Sequence, residues 1–299
     1  MKVMVIGAGG QLGGDLQRLL PASDCVPLTH ADIEITDSES VRRTFDRHQP
    51  DVVINTAAFH RVDDCETQGE RAFHTNALAV RGLAQACRAI GAVFVHFSTD
   101  YVFDGEQSEP YVETDRPGPL SVYGASKLAG EYLVAASHPR HFVIRTCGLF
   151  GLGGSRSKGG GGNFVETMLR AAALGKSLRV VSDQVVTPTA TADLARKVLQ
   201  LVKTDAYGLY HITAKDSCSW FEFARTIFEL SGVHADLTPV TAEAFGAPAR
   251  RPRYSVLCNH HLALLGLDDL PSWEDGLRCY LHERSRARPD SATSGVRAG

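Results

Sequence analysis

An apolar run near the start of the chain breaks on glycine, and that break constrains what the chain can fold into. Lys2-Val3-Met4-Val5-Ile6 reads as a short buried strand, and Gly7-Ala8-Gly9-Gly10-Gln11-Leu12-Gly13 follows it directly. From Gln11 to Leu20 the spacing is helical, with Leu12, Leu16, Leu19 and Leu20 on one face and Pro21 as the stop. Strand, glycine turn and helix in that order form the first βα unit of a dinucleotide-binding fold. Gly7, Gly10 and Gly13 tolerate backbone angles that other residues resist, and they let a pyrophosphate approach bare backbone. The helix N-terminus then offers unpaired N–H groups to the anion. Outside this context the same glycines would mark only a tight turn.

The rest of the first half repeats the rhythm. Strands are expected over Cys25–Thr29, Asp51–Asn55, Ala92–Phe97 and Phe142–Arg145. Helices are expected from a Thr36/Glu39 capping box to about His48, from about Cys65 to Ala89 with Gly91 as the stop, and over Tyr123–Ala136. Such alternation predicts an α/β fold: a Rossmann-type, doubly wound parallel sheet with a smaller C-terminal α/β substrate lobe. Residues 1–147 are read as the NAD(P)-binding domain, with return strands near 178–182 and 208–213. Residues 148–283 are read as mainly the substrate lobe, with helices over 163–174, 189–203, 219–231 and from Trp273 to about His282. Trp220, Phe221, Phe223 and Phe228 are candidate core of that lobe. Two stretches are poor in core-forming residues: GGSRSKGGGG at 153–162, expected to be a flexible loop or lid, and 284–299, expected to be a disordered tail.

Composition narrows the function classes. With 299 residues the chain can bury a large core, and 43% hydrophobic residues against 22% charged suit a soluble protein. A net charge of −3 with no basic block argues against nucleic acid as the main partner. No stretch approaches the roughly 18 apolar residues of a membrane span. The opening run is too short for a signal peptide, so the cytoplasm is the expected compartment. Seven scattered cysteines without a CxxC pair suggest inert thiols, not disulfides or a zinc site. The acidic cluster Asp63, Asp64 and Glu66 is read as serving a helix dipole, with no catalytic metal expected.

Tyr123 and Lys127 stand four apart at the start of a helix, on one face. A free phenol has a pKa of about 10, and a nearby ammonium lowers it toward a usable general acid. Ser98-Thr99-Asp100 closes the fourth strand at the carboxyl edge, where ligands bind in such sheets, and Thr99 can donate to a substrate oxygen. At the adenosine end, Thr29-His30 stands where an acidic residue often holds the ribose, which permits NADP as well as NAD; Asp32 or Glu34 is a candidate for the adenine side. Arg250, Arg251 and Arg253 surround a proline and could meet a diphosphate or form a solvated face.

The glycine turn, the Ser/Thr and the YxxxK together resemble the extended short-chain dehydrogenase/reductase superfamily. STDYVFDG (98–105), VYGASKLAGE (122–131), GNFVETML (162–169), SDQVVTPTATADLA (182–195), GLYHIT (208–213) and RRPRYSVL (250–257) resemble the dTDP-4-dehydrorhamnose reductase family, to about His282. The resemblance implies reduction of the 4-keto group of a nucleotide-linked deoxysugar by NADPH or NADH, a nucleotide-sugar partner, and a homodimer as a candidate assembly. It implies that Tyr123 supplies the proton, Lys127 tunes it and holds the ribose, and Thr99 assists at the keto oxygen. Thr99, Asp100 and Tyr101 would line the sugar site. Gly10, Gln11 and Leu12 would line the pyrophosphate, Glu34 and Ile35 the adenine side, and Ala58, Phe59 and His60 the middle of the cofactor.

One position departs from the family pattern. The family usually carries Trp two residues past the Thr of Arg145-Thr146, against the sugar, and this chain has Gly148. The wall is missing, or Phe150 or another aromatic replaces it. Within the superfamily a dehydratase needs Asp-Glu after the Thr, and here Tyr101 follows Asp100. An epimerase uses the same Tyr and Lys, and a non-catalytic regulatory subunit, resembling that of methionine adenosyltransferase, could keep the fold.

Overall fold

The computed structural model describes residues 1–153 and 162–287. The first half builds β1 (Val3–Ile6), α1 (Gln11–Leu19), β2 (Cys25–Leu28), α2 (Ser38–His48), β3 (Val52–Asn55), α3 (Val62–Thr67), α4 (Gly69–Phe73), α5 (Ala79–Ile90), β4 (Val93–Thr99), α6 (Val122–Ser137) and β5 (His141–Thr146). Beyond it lie α7 (Phe164–Ala173), β6 (Leu178–Val181), α8 (Thr191–Leu201), β7 (Gly208–His211), α9 (Trp220–Ser231), β8 (Leu237–Val240) and α10 (Trp273–Ala287). Among the described residues the main sheet has six strands in the order β7-β5-β4-β3-β1-β2, all parallel. Strands β1, β3 and β4 are buried along their whole length, as a sheet covered on both faces requires. Leu12 and Leu16 of α1 pack with Leu194 and Val198 of α8 on one face, and Val41 and Phe45 of α2 with Val80 and Leu83 of α5 on the other. The strand order reverses between β1 and β3, which opens a crevice at their carboxyl ends.

Several sequence expectations change in the structure. The cap of α2 is Asp37, whose carboxylate accepts from the Glu39 N–H, while the Thr36 hydroxyl donates to Glu34 at 2.6 Å. The single helix expected over 65–89 is broken at Gln68 and runs through a π-turn at His74–Leu78 before α5. That turn carries Asn76, a fully buried amide that needs partners off the helix. Gly91 closes α5 in the left-handed conformation, as expected. Strand β4 extends past Phe97 to Thr99.

Segment 178–181 does not return to the main sheet. It pairs in parallel with β8, and its pattern of Leu178 and Val180 inward with Arg179 exposed suits a ribbon covered on one face. Strand β7 does return, beside β5. Phe150, Phe223, Phe228, Trp273 and Tyr280 form the core beyond β5, with Trp220 and Phe221 at its edge. The tail expected from 284 starts as helix: α10 runs through Ala287, and Arg284 is paired with Glu166 at 2.6 Å. Residues 154–161 of the expected loop and 288–299 of the expected tail lie outside the described residues.

Helix α6 presses directly on the π-turn. A Cβ at Gly130 would stand 2.3 Å from the Asn76 carbonyl oxygen, so no side chain fits without parting the two elements. Gly130→Ala is expected to lower stability by about 1–3 kcal/mol through overpacking, read as a reduced urea midpoint at unchanged m-value.

Candidate active site

The glycine turn is shaped for an anion. Gly7 has φ +83°, and a Cβ there would lie 2.5 Å from Thr56 Oγ1. A Cβ at Gly13 would lie 2.5 Å from the Gly7 carbonyl oxygen. Gly10 starts α1 with no side-chain cap, and the first turn holds no acid. The N–H groups at this end are therefore free to meet a pyrophosphate, and a side chain at Gly7 or Gly13 would break the turn that presents them. These residues fit a dinucleotide.

The flanking residues divide differently from expectation. The Gln11 side chain turns away to the second lobe, its Oε1 accepting from Gly151 N–H at 2.7 Å and Asn163 Nδ2 at 2.9 Å. Leu12 and Ile35 are buried in the two sheet cores, which leaves their backbones to face a ligand. Glu34 accepts from the Thr36 N–H at 2.9 Å and the Thr36 hydroxyl, and lies 3.4 Å from His30. Those bonds from Thr36, then the His30 charge, hold its carboxyl below the usual range. Asp32 is tied in the same way to Thr29.

After β3 the chain is clamped by a residue that the sequence reading missed. Asn76 Oδ1 accepts from Phe59 N–H at 2.9 Å, and its Nδ2 donates to Phe59 O and to Ser126 Oγ, each at 3.0 Å. It thus fixes Ala58, Phe59 and His60 against α6. Arg71 caps the Phe59 ring at 4.7 Å, and His60 is exposed. The one available signal was an Asn inside an apolar-periodic helical stretch.

Thr99 and Tyr123 meet at the end of β4. The Thr99 hydroxyl donates to Asp100 Oδ1 at 2.9 Å, and the Tyr123 phenol lies close to Thr99. Tyr101 packs edge-on to Tyr123 with ring centroids 6.1 Å apart. Gly124 lets α6 start here, since a Cβ would stand 2.2 Å from the Tyr101 carbonyl oxygen. Asp100 is buried, with the Cys147 thiol donating to it at 3.1 Å, and burial raises its carboxyl pKa.

The expected lowering of the Tyr123 pKa is not what this geometry produces. Burial pushes the phenol above its ordinary value, Asp100 adds to the rise, and Thr99 offsets part of it. Tyr123 is held as a neutral phenol that carries its proton but, while buried, is a weaker acid than free tyrosine. The Lys127 ammonium is turned to His96, with Nζ 3.1 Å from Nε2. Burial pulls Lys127 down to about 8, against the opposing charge of Glu131. Glu131 in turn is held by Arg145, with Nη2 at 2.7 Å from Oε2, and by the Ser98 hydroxyl.

Phe150 does not replace the absent aromatic at 148, because it is buried in the second core. Gly148 has φ +53°, and a Cβ there would stand 3.1 Å from the Pro188 Cα and 3.6 Å from the Trp220 Cη2. Trp220, half-buried against Phe164, stands beside the vacated position. Arg251 lies close to Tyr101 and is paired with Asp63 at 3.0 Å. Asp64 pairs with Arg61 at 2.9 Å, and Glu66 accepts from the Val122 N–H at the start of α6. Among the described residues no group of three or more His, Cys, Asp or Glu is placed to hold a metal ion. No helix among them is long and apolar enough to cross a membrane.

A family model described as RmlD substrate binding domain matches residues 1–286. The chain is 43% identical over 288 residues to the spore coat polysaccharide biosynthesis protein SpsK of Bacillus subtilis (strain 168), covering 96% of this chain and 99% of that one. It is similar to a solved dTDP-4-dehydrorhamnose reductase from Clostridium acetobutylicum, with TM-score 0.90 and 42% identity over 95% of this chain and 100% of that one. A Bacillus anthracis dTDP-4-dehydrorhamnose reductase, solved in complex with NADP, gives TM-score 0.90 and 39% identity over 95% and 100%.

Asn76→Ala removes three hydrogen bonds, leaving the Phe59 N–H unpaired and its carbonyl with only the Cys65 thiol at 3.7 Å. The loop at Ala58–His60 should loosen, weakening dinucleotide binding by about tenfold, which corresponds to roughly 1.4 kcal/mol. A fluorescence titration with NADPH checks this.

Proposed function

The chain belongs to the RmlD substrate binding domain family, and from that premise we propose that it reduces the 4-keto group of a dTDP-linked 6-deoxysugar, converting dTDP-4-dehydro-L-rhamnose to dTDP-L-rhamnose. It is an NAD(P)-dependent oxidoreductase. The observation that carries the reading is the meeting of Thr99 and Tyr123 at the end of β4, with Lys127 one turn further along the helix that carries Tyr123. The reading places the reaction in the cytoplasm.

Residues 1–147 would hold the dinucleotide and 148–283 mainly the sugar. The glycine turn, the clamped Ala58–His60 loop and the Glu34–Ile35 edge would cradle the cofactor along its length. The cofactor, when bound, supplies the hydride. Thr99 and Tyr123 would both hydrogen-bond the keto oxygen, and Tyr123 would give it the proton. The phenolate left behind is the state that the buried Lys127 charge favours. Asp100 and Tyr101 would line the sugar, with Arg251 behind Tyr101 available to the diphosphate. Trp220 would supply the aromatic wall that Gly148 lacks.

Tyr101 stands where elimination would need a carboxylate, which favours reduction. NADPH and NADH oxidation should be followed against a panel of dTDP-4-keto sugars, with product stereochemistry determined. Stoichiometric coenzyme consumption is expected; isomerised sugar without net consumption would identify an epimerase instead. Tyr123→Phe is expected to lower kcat by about a hundredfold or more while leaving NADPH affinity unchanged, and turnover surviving that change would sink the assigned mechanism. Trp220→Ala should raise the sugar KM several-fold, with no change in the NADPH Kd.

A further inference from the structure

His96 has no part in the chemistry so far. It lies in the middle of β4, fully buried, with its ring stacked on Phe94 at 6.3 Å and 10°. One ring nitrogen, Nε2, faces Lys127 Nζ at 3.1 Å. The other, Nδ1, faces Asn55 Nδ2 at 3.4 Å. Asn55 cannot simply rotate its amide, because its Oδ1 accepts from the Ala57 N–H at 3.1 Å. The NH2 group is thereby held toward the ring.

These contacts couple two states. An ammonium at Lys127 has only N–H groups to offer, so it needs Nε2 as an acceptor, which puts the ring hydrogen on Nδ1. A neutral amine at Lys127 can accept, so the ring can carry its hydrogen on Nε2 and take the Asn55 donation at Nδ1. Burial keeps the imidazole far below its ordinary pKa, so the ring stays neutral in both states. Of the other charged and titratable groups around the pair, Glu131 is engaged by Arg145 and Ser98, and Tyr123 lies close to Thr99, with Asp100 beyond.

We infer that His96 is a positioning residue for Lys127: its neutral ring holds Nζ in place, and its tautomer follows the charge on the lysine, with Asn55 backing the amine state. The inference rests on the reading of Lys127 as the charge that favours the Tyr123 phenolate. As pH rises through the lysine pKa, near 8, that charge is lost and kcat/KM falls.

In His96→Leu the buried ammonium loses its acceptor, so the lysine gives up its proton sooner. The alkaline limb of the kcat/KM profile should move down by about one to two pH units, the worth of one charged hydrogen bond. Activity should recover toward acid pH. In His96→Gln an amide oxygen can accept from Nζ, and the limb should return close to its original position. A merely structural role would lower activity at every pH and leave the limb where it was, and that result overturns the inference. Nitrogen-15 histidine spectra of the full-length wild-type protein give a second reading, independent of whether the leucine variant folds. The His96 signals should pass from the Nδ1–H to the Nε2–H tautomer with the midpoint of the limb. A single tautomer across that range overturns the inference. Lys127→Met separates the two readings: if it keeps full turnover, the role assigned to Lys127 fails. If it abolishes turnover while His96→Leu leaves the limb unmoved, only the role of His96 fails.

Discussion

Glu131 and Arg145 form a buried, forked ion pair, and the reactive half of the molecule is hung from it. Arg145 Nε lies 2.9 Å from Glu131 Oε1 and Nη2 lies 2.7 Å from Oε2, with both side chains almost wholly out of solvent. Ser98 donates to the same carboxylate, and the Phe103 ring covers the guanidinium at 5.0 Å. Taking both charges out of water costs nearly what their attraction returns, so the pair adds little net stability. Its effect is geometric. Glu131 belongs to α6, Arg145 to β5 and Ser98 to β4, so one carboxylate sets the roll and height of the helix over two strand ends. Lys127 and Tyr123, one and two turns earlier on that helix, are placed by it.

What was legible in the sequence was whatever repeats with a period or needs a special backbone. The glycine turn is both, and it fixed β1, α1 and the cradle. Tyr123, Lys127 and Thr99 were legible through spacing and through the end of an apolar run. Less legible were residues whose meaning comes from a partner far along the chain. Asn76 clamps Phe59 and Ser126, which stand 17 and 50 positions away. His96 carries no pattern of its own within the Ala92–Phe97 run, and its partners lie on β3 and α6. Segment 178–181 has strand character of its own, but only its alternation separates a ribbon partner from a return strand. The direction of the Tyr123 shift was also hidden, because spacing reports the lysine and not the burial.

The glycine cradle is joined to the second lobe through side chains that look away from it. Gln11 binds Gly151 and Asn163, and Asn163 reaches Tyr280, which donates to Glu166. Asp15 of α1 accepts from Thr191 at the start of α8. The helix that ends the described chain is therefore connected by continuous hydrogen bonds to the turn near its start. The side chain of Gln11 thus ties the turn to the segment beyond β5, while its backbone N–H stays at the start of α1.

Gly148 and Trp220 share one corner of the crevice. A side chain at 148 would need a left-handed backbone that large residues resist, and its Cβ would stand 3.1 Å from the Pro188 Cα and 3.6 Å from the indole. A bulky residue placed there would have to push the proline or the indole aside. The corner therefore has room for one large ring, and the ring it holds comes from the start of α9, anchored in the second core, and not from the segment that leaves β5.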